Sequence, residues 1–340
     1  MVERKSAFTK RSDLSVYLKR GVKMSVSWGF SVGNVRAREV SLLKKRDLSE
    51  MAGCSSEQQL ITALSDKGFG GADAKSTEQA VNFETDALWE YVRTTAADFT
   101  VFNPFLLDND YHNLKAVIKG VLSGKEYKNM LLFPTVTDIE VIETAVKEKK
   151  FSLLPPYMAD DAADGYSLLA ATSDVQLVDG ILDKSRMKAT LSMCQKAPEV
   201  MSQYIKTKVF FENVKVALRG SKMGKNADFF KKTLYLEQGL DSLISAACEG
   251  TEAVLEWLKI RDEGAAESFK LSPSEFEKTA DNRLMSVAKR AKFITSGPDV
   301  IIGFVLAKLA EIRAVSMIAT GIRTETDEDK IRERLRELYD

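Results

Sequence analysis

The residues of this chain that could do chemistry are few, and their spacing limits what they can do. One histidine, His112, stands among 340 residues. Together with three scattered cysteines, Cys54, Cys194 and Cys248, it cannot assemble the common zinc sites, which draw their ligands from clustered His and Cys. A serine–histidine–aspartate relay could use only His112, which reads instead as a structural or surface residue. The run Gly220-Ser221-Lys222-Met223-Gly224-Lys225-Asn226 invites comparison with a phosphate-binding loop. Such a loop needs four residues between its glycines and a Ser or Thr after the lysine; here three residues intervene and Asn226 follows. Gly120 and Gly124-Lys125-Glu126 repeat the pattern, again without the hydroxyl, so both copies read as helix C-caps. Asp108-Asn109-Asp110 and Asp160-Asp161 fall in loop-like sequence and lack calcium-loop spacing. Glu39, Glu84, Glu90 and Glu311 have cations three or four residues away in several cases and read as surface ion pairs. No catalytic residue, cofactor or metal is expected.

The elements that carry these residues repeat. Asn113-Leu114-Lys115, an apolar stretch, Gly120, Gly124 and Lys125 recur one hundred residues later as Asn213-Val214-Lys215, an apolar stretch, Gly220, Gly224 and Lys225. Weaker echoes are Asn34-Val35-Arg36-Ala37-Arg38 near the start and Glu311-Ile312-Arg313 near the end. Four motif helices bounding three intervals predict an all-α, three-part, pseudo-symmetric scaffold. Apolar residues at spacings of three and four predict helices over 34–45, 77–99, 111–122, 136–148, 177–189, 198–218, 227–236, 240–248 and 251–260. Pro298 opens a further helix at its first turn, with Ile301, Val305, Leu309, Ile312, Val315 and Ala319 on one apolar face until Gly321 ends it. Thr326 through Asp329 suggests a capping box for a final helix with Ile331, Leu335 and Leu338 as its apolar stripe. The motif residues Asn113, Lys115, Asn213 and Lys215 read as structural, an amide and a cation at corresponding turns being able to satisfy neighbouring helix ends.

Composition sets the class. Lys plus Arg equals Asp plus Glu at 49 each, which argues against a nucleic-acid footprint and for protein partners. Three unpatterned cysteines fit a reduced cytoplasm and read as buried fillers. No apolar run approaches the roughly 20 residues that cross a bilayer. The first 23 residues hold seven Lys/Arg against two acids without a signal-peptide apolar core; they read either as a solvated basic arm or as a misassigned start, and Met24 is the preferred true beginning. The expected organisation is a basic extension over 1–27, then helical repeat domains over 28–111, 112–211 and 212–340, the last carrying the C-terminal helix.

These residues also carry a resemblance. Gly33-Asn34-Val35-Arg36-Ala37-Arg38-Glu39, followed by Leu42-Leu43 and Asp47-Leu48, resembles the opening signature of the C subunit of the A-type and bacterial V-type rotary ATPases, the counterpart of the eukaryotic d subunit. Asp110-Tyr111-His112-Asn113-Leu114-Lys115 is similar to its Asp-x-x-Asn-Leu-Lys motif. The closing run, Gly297-Pro298-Asp299, Ala307-Lys308, Glu311-Ile312-Arg313 and Ile331 to Tyr339, resembles its C terminus. The departures are the basic extension and Glu311 in place of the Asn of the other repeats. The resemblance implies a funnel of three similar helical domains, peripheral to the membrane on its cytoplasmic face, that receives the central axle and sits on the membrane rotor ring. It implies a non-catalytic central-stalk protein with no cofactor. Without the terminal motifs, the repeat alone would fit equally a soluble helical-repeat adaptor unrelated to ion transport.

Overall fold

The computed structural model describes residues 26–340. The basic extension up to Ser25, and with it the reading of Met24 as the start, lies outside the described residues. Among the described residues there are sixteen α-helices and no strand, as the all-α expectation required. In chain order they are α1 (Trp28–Glu39), α2 (Lys45–Ala52), α3 (Glu57–Asp66), α4 (Thr77–Thr95), α5 (Asn103–Ser123), α6 (Ile139–Lys147), α7 (Pro156–Thr172), α8 (Val175–Cys194), α9 (Glu199–Lys222), α10 (Ala227–Thr233), α11 (Leu240–Glu249), α12 (Thr251–Lys259), α13 (Glu263–Leu271), α14 (Pro273–Lys289), α15 (Pro298–Arg323) and α16 (Glu328–Arg334). Short polar residues start many of them by accepting an orphan N–H: Ser56 from Gln59, Ser76 from Gln79, Asp174 from Leu177 and Ser272 from Glu275. Gly124 ends α5 at φ 67° and Gly224 follows α9 at φ 65°, the left-handed geometry of C-caps.

Three helix pairs make the frame: α4 with α15, α5 with α8, and α9 with α14. The core follows them. A central cluster collects the end of α4 and start of α5 (Trp89, Phe102, Leu106), the end of α8 and start of α9 (Met187, Met201, Tyr204), and the end of α14 and start of α15 (Ala288, Val300, Val305). Each of α5, α9 and α15 then leaves the centre and enters a cluster of its own. Leu114 and Val117 pack with Ile142 and Leu182; Val214 and Leu218 pack with Phe230 and Phe276; Val315 and Ile318 pack with Leu48, Leu60 and Ile331. This last cluster joins the two ends of the described chain. Aliphatic side chains buried this fully contribute about 1.5–3 kcal/mol each, so the frame has four separate apolar anchors.

Several details differ from the expected ones. α15 is not one-faced: from Val300 to Ala307 every residue is buried, because the helix crosses the centre, and it continues past Gly321 to Arg323. The final helix stops at Arg334, and Leu335 turns extended at ψ 141°. Tertiary bonds claim the tail instead: Glu337 N–H donates to Asn282 at 2.9 Å, Arg336 to Asp281 at 3.1 Å, and Lys45 N–H donates to Asp340 at 2.9 Å. The Thr326 capping box does not form; Asp327 is the N-cap and Thr326 Oγ1 meets Thr324 Oγ1 at 3.0 Å. Asp108-Asn109-Asp110 and Asp160-Asp161 are not loops but lie within α5 and α7. Only Cys194 of the three cysteines is buried; Cys248 is exposed.

Gly303 marks how closely α15 approaches the α14–α15 connection. A Cβ there would lie 2.2 Å from the Ala291 Cβ and 3.2 Å from the Ala288 carbonyl oxygen. Gly303→Ala is therefore expected to lower stability by about 1–3 kcal/mol through overpacking, read as an earlier urea-unfolding midpoint with unchanged m-value.

Candidate interaction site

Helical spacing puts Asn109, Asp110, His112 and Asn113 of α5 within reach of one segment, residues 130–137, which is not part of an α-helix and whose backbone groups need partners. Asn109 Nδ2 donates to Pro134 O at 2.8 Å. The Asp110 carboxylate accepts from Val136 N and Thr137 N, both at 2.8 Å. His112 Nε2 donates to Met130 O at 2.9 Å. Asn113 serves both sides of one residue: it accepts from Leu132 N at 2.8 Å and donates to Leu132 O at 2.9 Å. Asp110 and Asn113 are fully buried, and burial pushes the Asp110 carboxyl above its ordinary range against the pull of its hydrogen bonds. The result is a fixed loop whose tip shows about half of the Met130, Leu132 and Phe133 side chains to solvent.

The same clamp recurs. On α9, the buried Asn213 accepts from Tyr235 N at 2.8 Å and donates to Tyr235 O at 2.9 Å. On α15, the buried Glu311 accepts from Leu43 N. The glycines farther along α5 and α9 also correspond: a Cβ on Gly120 would strike the Tyr127 ring, and one on Gly220 the Phe230 ring. Lys115 pairs with Asp183 of α8 at 2.7 Å, and Lys215 with Glu277 of α14 at 4.0 Å. Both reach from the first helix of a frame pair to the second. Arg313 does not; it is exposed and lines a hollow beside α14 and the C-terminal tail.

The echo in α1 is of another kind. Asn34 is half-buried and donates to Phe30 O of its own helix at 3.1 Å. Arg36 ties α1 to the α14–α15 connection, donating to Ala291 O at 2.8 Å and Ile294 O at 2.6 Å while paired with Glu39 at 2.7 Å. Arg38 lies 4.0 Å over the Tyr91 ring.

Two groups of ion pairs escaped sequence reasoning, one built on the buried Arg186 and one on the buried Glu84 and Glu311. Arg186 of α8 pairs with Asp108 of α5 and Glu212 of α9, each at 2.7 Å, and Lys208 of α9 also meets Asp108. Burial alone would push the Asp108 carboxyl up; Lys208 and Arg186 outweigh it and hold it below its ordinary value. The available signal was that Asp108 and Lys208, opposite in charge, occupy the same place in the two repeats. The second group is Lys308, with Glu84 of α4 and Glu311 each at 2.9 Å; Glu84 also accepts from Gly70 N at 2.8 Å. Glu84 and Glu311 are thus buried, not the surface pairs their spacing suggested. Burial pushes Glu311 up to about 7, with Lys308 and the Leu43 N–H acting in the opposite direction. Among the described residues no group of three or more His, Cys, Asp or Glu could hold a metal ion, and no helix is long and apolar enough to cross a membrane.

The profile of one known family decides which class of protein carries this frame. That of the ATP synthase (C/AC39) subunit matches residues 31–334, a span that takes in all three clamps. The chain belongs to this family. Among curated relatives it is similar to the C subunit of the V-type sodium ATPase of Enterococcus hirae, 20% identical over 320 residues that cover 90% of this chain and 97% of that one. It is also similar to the C subunit of the A-type ATP synthase of Methanocaldococcus jannaschii, 22% identical over 366 aligned positions, 94% of this chain and 89% of that one. In this family member, the Asp-x-x-Asn-Leu-Lys motif of α5 supplies side chains that clamp residues 130–137.

Two measurements test the clamps. Asn113→Ala and Asn213→Ala each leave a buried N–H and C=O without their partner and should cost roughly 1–3 kcal/mol per group in urea unfolding. For Glu311 the folded-state pKa is raised, so its contribution is fully present below the ordinary value of 4.5 and is lost as pH rises through about 7. A shift of this size corresponds to about 3 kcal/mol. Glu311→Gln removes that dependence, so from about pH 4.5 to about pH 8 the parent protein should lose about 3 kcal/mol that the variant keeps.

Proposed function

We propose that this chain is the non-catalytic central-stalk subunit of a V/A-type rotary ATPase. In this reading its three helical repeat domains form a funnel on the cytoplasmic face of the membrane. The funnel receives the central axle and rests on the membrane rotor ring, so that ATP hydrolysis or synthesis is linked to proton or sodium translocation. The observation that carries the reading is the family match over residues 31–334, with relatives that are themselves named as C subunits of a V-type and an A-type enzyme. A soluble adaptor unrelated to ion transport is not favoured, since a generic helical repeat has no reason to carry both terminal signatures.

The physical form supports the same role. A coupling that passes torque without covalent bonds needs an interface at or above the usual ~1,600 Å² and a body that does not yield between its units. The buried Arg186, paired with half-buried Asp108 and Glu212, ties α5, α8 and α9 together, and apolar contacts join the two ends of the described chain. The clamp residues Asn113 and Asn213 act within this body as structural parts, their amides being spent on loop backbone.

The test is recovery from native membranes in mild detergent through an N-terminal tag, since the C-terminal Leu338 and Tyr339 are buried. Head, axle and ring subunits are expected to come with the chain. Recovery alone, or with soluble partners and no ring, would sink the proposal.

A further inference from the structure

A groove of about 760 Å³ runs between α9, α12 and α14. Its floor is aromatic. Phe210 stacks on Trp257 with ring centroids 6.0 Å apart and 21° between planes, and the Arg261 guanidinium lies 3.7 Å over the Trp257 ring. Trp257 Nε1 donates to Ser242 at 2.8 Å and Arg261 Nη1 to Trp257 O at 2.8 Å, so both groups are held in place. Lys206, Arg261, Arg283 and Arg290 stand exposed along the rim. One carboxylate lines the groove, Asp262, and it is committed to Arg283 through two bonds of 2.8 and 2.9 Å. Three cations are left without a carboxylate in the groove, in a chain whose Lys and Arg otherwise equal its Asp and Glu.

We infer that this groove receives an acidic segment of a neighbouring protein in the complex, one that carries an apolar or aromatic side chain among its carboxylates. Arginine forks bind carboxylates bidentately. Desolvated aromatic and arginine anchors are the side chains that dominate protein interfaces. A free phosphate is the poorer occupant: the nearby start of α13 already has Asp262 on its Ala265 N–H at 3.0 Å, and the cations spread along an apolar floor instead of converging on a point. The inference rests on the proposed place of the chain in a rotary complex and names the chemistry of one partner within it.

Ser286 offers a place to read the occupant. It is an exposed groove residue whose hydroxyl donates to Asn282 O of its own helix at 2.9 Å. Benzoylphenylalanine at this position in the tagged full chain, irradiated in the detergent-solubilised complex, should give an adduct on another ATPase subunit. Mass spectrometry should place it in a segment where Asp or Glu flanks an apolar residue. Its yield should fall at least fivefold in Lys206→Glu/Arg290→Glu, two exposed positions whose change leaves the core intact; Lys206→Gln/Arg290→Gln carries the same comparison if the reversed pair shifts the melting temperature. A complex recovered with no adduct on another subunit, with an adduct in a segment lacking acids, or with a yield indifferent to both pairs overturns the inference and leaves the proposed function standing. Recovery of the chain without other ATPase subunits removes both.

Discussion

Backbone that leaves a helix inside a protein must still be hydrogen-bonded, and the way this chain meets that demand governs the rest of its structure. Leu43, Leu132 and Tyr235 lie outside the α-helices, each against a long helix, and each is paired by a buried side chain at the same relative place on α15, α5 and α9. The bonds at Leu132 and Tyr235 are reciprocal and 2.8–2.9 Å long. A slide of one residue along a helix moves a side chain by about 1.5 Å, enough to break both. The clamps therefore fix the position of each loop along its helix, which apolar contact alone would leave free to adjust. Several such bonds converge on residues 130–137, and the exposed Met130, Leu132 and Phe133 owe their fixed presentation to groups buried beneath them.

Charge plays the complementary part. Exposed pairs such as Lys270 with Glu267 are screened by solvent and fix little. Arg186 is another matter, since it is buried and taking it from water costs several kcal/mol, which its attraction to the half-buried Asp108 and Glu212 must repay. Their value lies in geometry: removing one partner strands the others, so the three helices that contribute them hold one relative arrangement. Lys308 between Glu84 and Glu311 does the same for α4 and α15. In both places the ionic ties join different helices of the frame, while the apolar clusters fill the spaces behind them.

Much of this was legible in the sequence, for identifiable reasons. The helices of the frame showed through apolar spacing, and the C-caps at Gly124 and Gly224 showed through the failure of the phosphate-loop pattern. The clamp positions Asn113 and Asn213 stood out because the repeat preserved them, and Glu311 because the following Ile312 and Arg313 kept the pattern. Asn34 was a false echo: its neighbours Val35 and Arg36 match in type, but local sequence cannot say whether an amide faces a loop or its own helix. The buried charges were hidden for a related reason. Glu311 has Lys308 at helical spacing like many surface glutamates, and only the packing of α15 makes it and Glu84 interior. The tail from Leu335 kept a helical apolar stripe, yet bonds to Asn282, Asp281 and Lys45 outweighed a propensity worth a few tenths of a kcal/mol per residue.

Closure is what separates this chain from an open helical repeat. In a linear array each inner unit touches two neighbours and the terminal ones touch one. Here α15 returns to pack on α4, and the connections α4–α5, α8–α9 and α14–α15 meet in one central cluster. Single bonds reinforce the same joints. Val200 N–H donates to Asp299 at 2.8 Å, binding the start of α9 to the start of α15, and Arg36 binds α1 to the α14–α15 connection. Moving any one of these connections must then disturb the cluster the other two share, and stiffness arises without any one contact being strong. Any load on such a body is spread over many contacts, each contributing only about 1 kcal/mol or a few.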